Sequence, residues 1–304
     1  MKALMTPQKQ KFLSTLIVSV GAFLGFEALS LAVGLYQIKT YLELSIYIYL
    51  FHVFWLTFIF DLHLKERSII GAILSGEIKA GMFAAAMKER FRYIINWHHF
   101  RHLQNFLILP GVIYWAVVAL LFLNLFKEST KQVIVVSASL AMTVAYWYFK
   151  DFLSKKLEMH EVGVRVLALV KLYAAFLIFS AALGLTWYFG MHWSLLVLAV
   201  FALTFILIYQ ALFQLRLLSP NVVVPVMAIS LLTSATGYII HSYWGINYLT
   251  GGLVITGVYN SLWGIIHHHL EKNLTKKLAF EYVAMLVLIL SVLAAGQDFA
   301  PRID

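Results

Sequence analysis

Eleven histidines in a chain without cysteine make imidazole its main means of holding a transition metal, since imidazole binds such ions while neutral. His98 and His102 are four residues apart and His99 and His102 three apart, so either pair can meet one ion from one helix face. His267, His268 and His269 are consecutive. On a helix they point about 100° apart, so one or two of the three, not all, are expected to face a common ion. His52 and His63 lie on and just after an apolar segment. The expected ligand set is His52, His63, His98, His102 and His267, with His99 and His268 as further candidates. Asp61, Asn260 and Glu271 are candidates to orient the imidazoles from outside the ligand set, with Asp61 open as a ligand itself. Asn260, Trp263, His267 and Glu271 recur at spacings that keep them near one helix face. No catalytic residue is assigned. The competing reading of such a cluster is a histidine-rich helix end that merely suits a membrane surface, with Asp61 and Glu271 marking the ends of spans.

The elements that must carry these residues are set by composition. Of 304 residues, 62% are hydrophobic and 12% are charged. A soluble domain is about half apolar and about a quarter charged. The excess falls in continuous apolar blocks of about 20 residues, long enough to cross a hydrocarbon core as helices. A lipid-facing barrel strand would alternate instead. Nine spans are expected (eight to ten allowed), near 12–37, 41–61, 105–126, 132–150, 165–188, 194–216, 221–243, 248–268 and 279–297. The basic start followed by an apolar run to about Tyr36 is too long for a signal h-region and reads as a retained first helix. Within 62–104, Met82, Phe83, Met87, Phe91, Ile94 and Ile95 recur at helical spacing among basic residues. That predicts an amphipathic helix over 75–100 on the cytoplasmic membrane surface. The fold class is therefore all-α, a polytopic integral membrane helical bundle in a single transmembrane domain, 1–304.

Lys and Arg concentrate in alternate connections: Lys2, Lys9, Lys11, the 62–104 section, Lys155, Lys156, Arg165, Arg216, Lys272, Lys276 and Lys277. This places the N-terminus in the cytoplasm and the C-terminus on the opposite side. The same topology sorts the histidines. His52, His63, His98, His99, His102, His267, His268 and His269 fall on the inner side, His192 and His241 on the outer side, and His160 in an inner loop. The last three are expected to serve as interfacial or hydrogen-bonding residues. Glu27 sits inside the first span, where an isolated carboxylate is expensive and must face a partner or hold a proton. Lys171 is expected to snorkel to the inner face, and Gln210 and Gln214 to act as interhelical glue. Pro110 and Pro225 are placed near span starts. The net charge of +9 suggests anionic lipid as a partner and no nucleic acid. Homo-oligomerisation is left open.

No phosphate-binding glycine loop, dinucleotide fingerprint, nucleophile elbow, zinc-protease motif or voltage-sensor row occurs. The stretch Trp97-His98-His99-Phe100-Arg101-His102 resembles the W-H-x-x-R-H element of the Brp/Blh family. Those proteins are polytopic membrane enzymes that cleave β-carotene to retinal with a histidine-held non-haem iron. The resemblance implies His98 and His102 as iron ligands. The number and sidedness of the histidines also resemble membrane desaturases and hydroxylases, which hold two irons at the cytosolic face. Both resemblances imply iron, mononuclear or paired, and O₂ activation beside an apolar small-molecule substrate drawn from the bilayer: a carotenoid or other isoprenoid, or a fatty acyl chain. Trp55, Trp97, Tyr259 and Trp263 are aromatics that could pack on a polyene. The expectation is a membrane-embedded non-haem iron oxygenase. The alternative is a transporter or channel whose histidines bind or relay metal ions or protons, with Tyr238, Ser234 and Ser230 as a partial polar trail.

Overall fold

The structure, a computed structural model, describes residues 7–59, 88, 97–123, 128–154, 161–215, 217–243 and 247–295. Every regular element among these is helical. They are α1 (Pro7–Leu35), α2 (Ile38–Ile59), α3 (Trp97–Phe122), α4 (Glu128–Ser154), α5 (Glu161–Tyr188), α6 (Trp193–Gln214), a 3₁₀ turn (Pro220–Val222), α7 (Val223–Tyr243), α8 (Tyr248–Leu270) and α9 (Lys276–Ala295). Each expected apolar segment overlaps one of these helices. Six stretches are long and apolar enough to cross a membrane: Thr15–Leu35, Glu128–Phe149, Val162–Tyr188, Trp193–Gln214, Pro220–Tyr243 and Tyr248–Leu270. The apolar part of α3, Leu107–Phe122, is shorter. The chain is thus an all-α protein compatible with multiple membrane passes. Most of the amphipathic helix expected over 75–100 lies outside the described residues, as do Asp61, His63 and His160.

Pro110 lies near the start of the apolar part of α3, Leu107–Phe122, as expected, and inside the helix as a whole, which begins at Trp97. A proline there removes one backbone bond to the preceding turn, a loss that neighbouring helices make tolerable in membrane bundles.

Contacts group the chain into two units: residues 1–114 with 126–170, and residues 115–125 with 171–304. In the first, α1 buries Val18, Ala22, Phe26 and Leu29, and α4 buries Val135, Ala138, Met142, Ala145 and Phe149. Both sets follow the three-and-four spacing of one helix face. Glu27, expected to need a partner, has one: the Gln132 amide donates to its Oε2 at 3.2 Å. The Tyr114 hydroxyl donates to the Ser45 carbonyl at 2.7 Å.

In the second unit, α6 buries Leu196, Val200, Thr204, Leu207 and Ala211, and α7 buries Val226, Ser230, Thr233, Gly237 and Ile240. A methyl group on Gly237 would sit 3.4 Å from Val200. This fixes an antiparallel register that sets Thr204 level with Thr233. Helix α8 is approached closely on two sides. A methyl at Gly252 would lie 2.7 Å from the Ser180 backbone of α5, and one at Gly264 would run into the Tyr282 ring of α9. Small residues allow such backbone approach where lipid supplies no hydrophobic drive between helices. Hydroxyls in these helices mostly bond to their own preceding turn: Ser230 donates to Val226, Ser234 to Ser230 and Thr256 to Gly252.

Candidate metal centre

The last turn of α8 carries the site, and the way this helix ends shapes it. Its Asn247 N-cap accepts from the amides of Leu249 and Thr250, which starts the helix. At the other end Lys272 takes a left-handed conformation, φ 59°. Its amide then reaches the His269 carbonyl at 3.1 Å and the Asn273 amide reaches the His268 carbonyl at 3.0 Å. These bonds satisfy carbonyls that a helix end would otherwise leave bare. The α5 terminus does the same with Gly190, φ 58°, and Met191 bonded to Thr186. Lysine in the place of glycine carries a conformational penalty of about 1 kcal/mol.

This turn folds Asn273 back over the helix end. The His268 Nδ1–H donates to Asn273 Oδ1 at 2.8 Å, and the Asn273 amide donates to Glu271 Oε2 at 3.1 Å. One side chain therefore fixes an imidazole and a carboxylate together. With Nδ1 committed, the lone pair of His268 sits on Nε2. His267 Nε2 lies 3.1 Å from Glu271 Oε1, but the contact lacks hydrogen-bond direction. That nitrogen is enclosed and has no hydrogen-bond partner among the described residues. Rings hold the imidazoles: Trp263 stacks on His267 at 5.4 Å, and Tyr282 lies 6.0 Å from His268.

His267, His268 and Glu271 each offer a ligand atom, and these atoms lie within 4.8 Å of one another. Small side-chain rotations bring three such donors to the distances of about 2.0–2.2 Å at which N and O ligands bind metal. Two neutral imidazoles and one carboxylate suit a divalent cation. The negative end of the α8 dipole favours a cation at the same place. The cluster opens to the surface at Glu271, which is exposed, while His267 and His268 are part-buried.

The structure thus brings together two of the three consecutive histidines, with His269 exposed and outside the group. The helix stays regular, and Glu271, three and four residues on, bridges the pair. Glu271 offers a carboxylate oxygen beside both imidazoles, so it could serve as a ligand as well as an orienting partner. Asn260 lies two turns up α8, outside the group. His98, His99 and His102 occupy the first turns of α3, and their side chains lie outside the described residues. His52 belongs to the first unit, where its Nε2 is 3.5 Å from the Tyr146 hydroxyl. His192 caps α6 through the Ser194 amide, and His241 lies against Trp187 at 6.3 Å. Sequence reasoning missed Asn273, two residues past Glu271, which no helical spacing marks. It also misplaced Lys171, which is not at the surface but 9% exposed inside the bundle.

With only helices as regular elements among its described residues, six stretches able to cross a membrane and a histidine–carboxylate cluster at one helix end, the chain falls in the class of multi-helix membrane-type proteins. Residues 68–296 match the family described as DUF5656, a protein of unknown function, and the chain belongs to that family. Neither a curated protein nor a solved structure matches the chain.

Proposed function

We propose that this protein is a membrane-embedded, histidine-ligated non-haem iron oxygenase acting on a lipid-soluble substrate. The observation that carries the reading is the group of His267, His268 and Glu271. Two histidines and one carboxylate with open positions are the ligand type of non-haem Fe(II) oxygenases. Iron held there would activate O₂ beside a C=C or C–H bond of a carotenoid, another isoprenoid or an acyl chain. Trp263 on the same helix and Tyr282 on the next line the approach with apolar surface. His98 and His102, at the start of α3, remain the proposed iron ligands that the Brp/Blh resemblance implies. Nine spans with a cytoplasmic N-terminus put the α8 end on the cytoplasmic side.

Nitric oxide, an O₂ surrogate, tests the reading directly. Protein loaded anaerobically with Fe(II) and exposed to nitric oxide should give the paramagnetic resonance signal of an iron with an open position. His267→Ala/His268→Ala should lose it. Absence of the signal in fully iron-loaded wild type would overturn the oxygenase reading.

A second reading, transport, draws on one observation. The hydroxyls of Thr204 and Thr233, level with each other on α6 and α7, are enclosed and have no hydrogen-bond partner among the described residues. Against it, Ser230 and Ser234 donate to their own helix and Tyr238 meets Trp193 edge-on. Metal-dependent uptake into vesicles without any oxygen consumption would favour transport.

A further inference from the structure

Lys171 stands ten residues into α5 and keeps 9% of its surface exposed. It lies within the apolar stretch Val162–Tyr188. No hydrogen bond or ion pair reaches it among the described residues. A buried ammonium without an anion is among the most expensive groups a bundle can hold. Such a residue in a membrane interior ordinarily marks a site that receives a charge from elsewhere.

The position of this amine within its unit is defined. Gly252 meets Ser180 and Gly184 meets Tyr248. Both contacts place α5 and α8 antiparallel in one register, with Lys171 level with Ser261. His267 is six residues further along α8, about 9 Å along its axis. Side chains on a helix lean toward its N-terminus, and the N-terminal end of α5 is the end at which α8 terminates. The Lys171 stem therefore leans toward the metal-binding turn.

We infer that Lys171 is the receptor for the carboxylate headgroup of an apolar acid, an amphiphile whose chain lies among the helices. The inference rests on the oxygenase reading only in making that acid the substrate. A carboxylate beside Lys171 would neutralise the buried charge and place the carbons next to the headgroup nearest the His267–His268–Glu271 turn.

The test uses an anthroyl-labelled stearic acid and its methyl ester, titrated onto the full-length protein in nanodiscs of phosphatidylcholine. Wild type should bind the acid about ten- to a hundredfold more tightly than the ester, the worth of a hydrogen bond between charged groups. Lys171→Met should remove that preference, and Lys171→Arg should keep part of it. His267→Ala/His268→Ala should retain the preference while losing metal, so the failure of either idea can be told from the failure of the other. Equal binding of acid and ester by wild type would overturn the inference, as would a preference that survives in Lys171→Met. If Lys171→Met does not fold, the wild-type comparison and Lys171→Arg decide.

Discussion

Replacing Asn273 with alanine probes how the α8 terminus builds its site. The substitution removes two side-chain hydrogen bonds, 2.8 Å from His268 and 3.1 Å to Glu271. The backbone bonds from Lys272 and Asn273 that close the helix remain, because they use amides alone. His268 then loses the acceptor that fixes its proton on Nδ1, and Glu271 becomes free to turn toward solvent. Loss of partners that orient metal ligands costs about 10- to 100-fold in metal affinity, or about 1.4–2.8 kcal/mol. Competition with a chromophoric chelator for Fe(II) or Co(II), with helical content followed by circular dichroism, measures it. The expected outcome is affinity reduced by that factor in Asn273→Ala, abolished in His268→Ala, and helicity unchanged in both. Wild-type affinity in Asn273→Ala would refute the reasoning and reduce Asn273 to part of the helix stop.

Other consequences follow from the same geometry. Lys272→Gly should raise thermal stability by about 1 kcal/mol, by removing a left-handed residue with a side chain; a lowered melting temperature would show that the Lys272 side chain contributes more than its backbone conformation costs. Gly252→Ala should destabilise by about 1–3 kcal/mol, because the new methyl meets the Ser180 backbone and not a side chain able to move away; an unchanged unfolding midpoint in detergent would contradict the close α5–α8 approach. Metal occupancy should fall as pH is lowered, since protons compete with the ion for His267 and His268, and equilibrium dialysis across acid pH checks it. With no native cysteine, single cysteines at Lys9 and Asp298 report sidedness cleanly. Labelling of the first only from the cytoplasmic side, and of the second only from the other, is expected for nine spans; labelling from one side would require an even number.

Much of the architecture was readable from the chain because lipid imposes a simple rule. A continuous apolar block must be a helix, and each expected segment coincides with one of the described helices. Their ends were less legible. α3 starts ahead of its apolar part because helix geometry can continue through Trp97–Phe106 beyond the hydrophobic run, so Pro110 falls inside it. The cluster on α8 was half visible. Helical spacing correctly tied His267 to Glu271 but offered no reason to look past the helix end. Asn273 enters only because Lys272 reverses the chain, and a lysine gives no warning of a left-handed turn as a glycine does. Lys171 misled for a similar reason. A long basic side chain near a span end ordinarily reaches water, and only the packing around α5 keeps this one inside.

Metal content of the purified protein tests the central claim most directly. Wild type, His267→Ala/His268→Ala and His98→Ala/His102→Ala would be expressed in iron- and zinc-supplemented medium and analysed by mass spectrometry of the elements. The account predicts stoichiometric iron in wild type, its loss in the α8 variant with the fold intact, and a lower ratio in the α3 variant if His98 and His102 also hold iron. No stoichiometric metal in wild type, or full retention in the α8 variant, would contradict it.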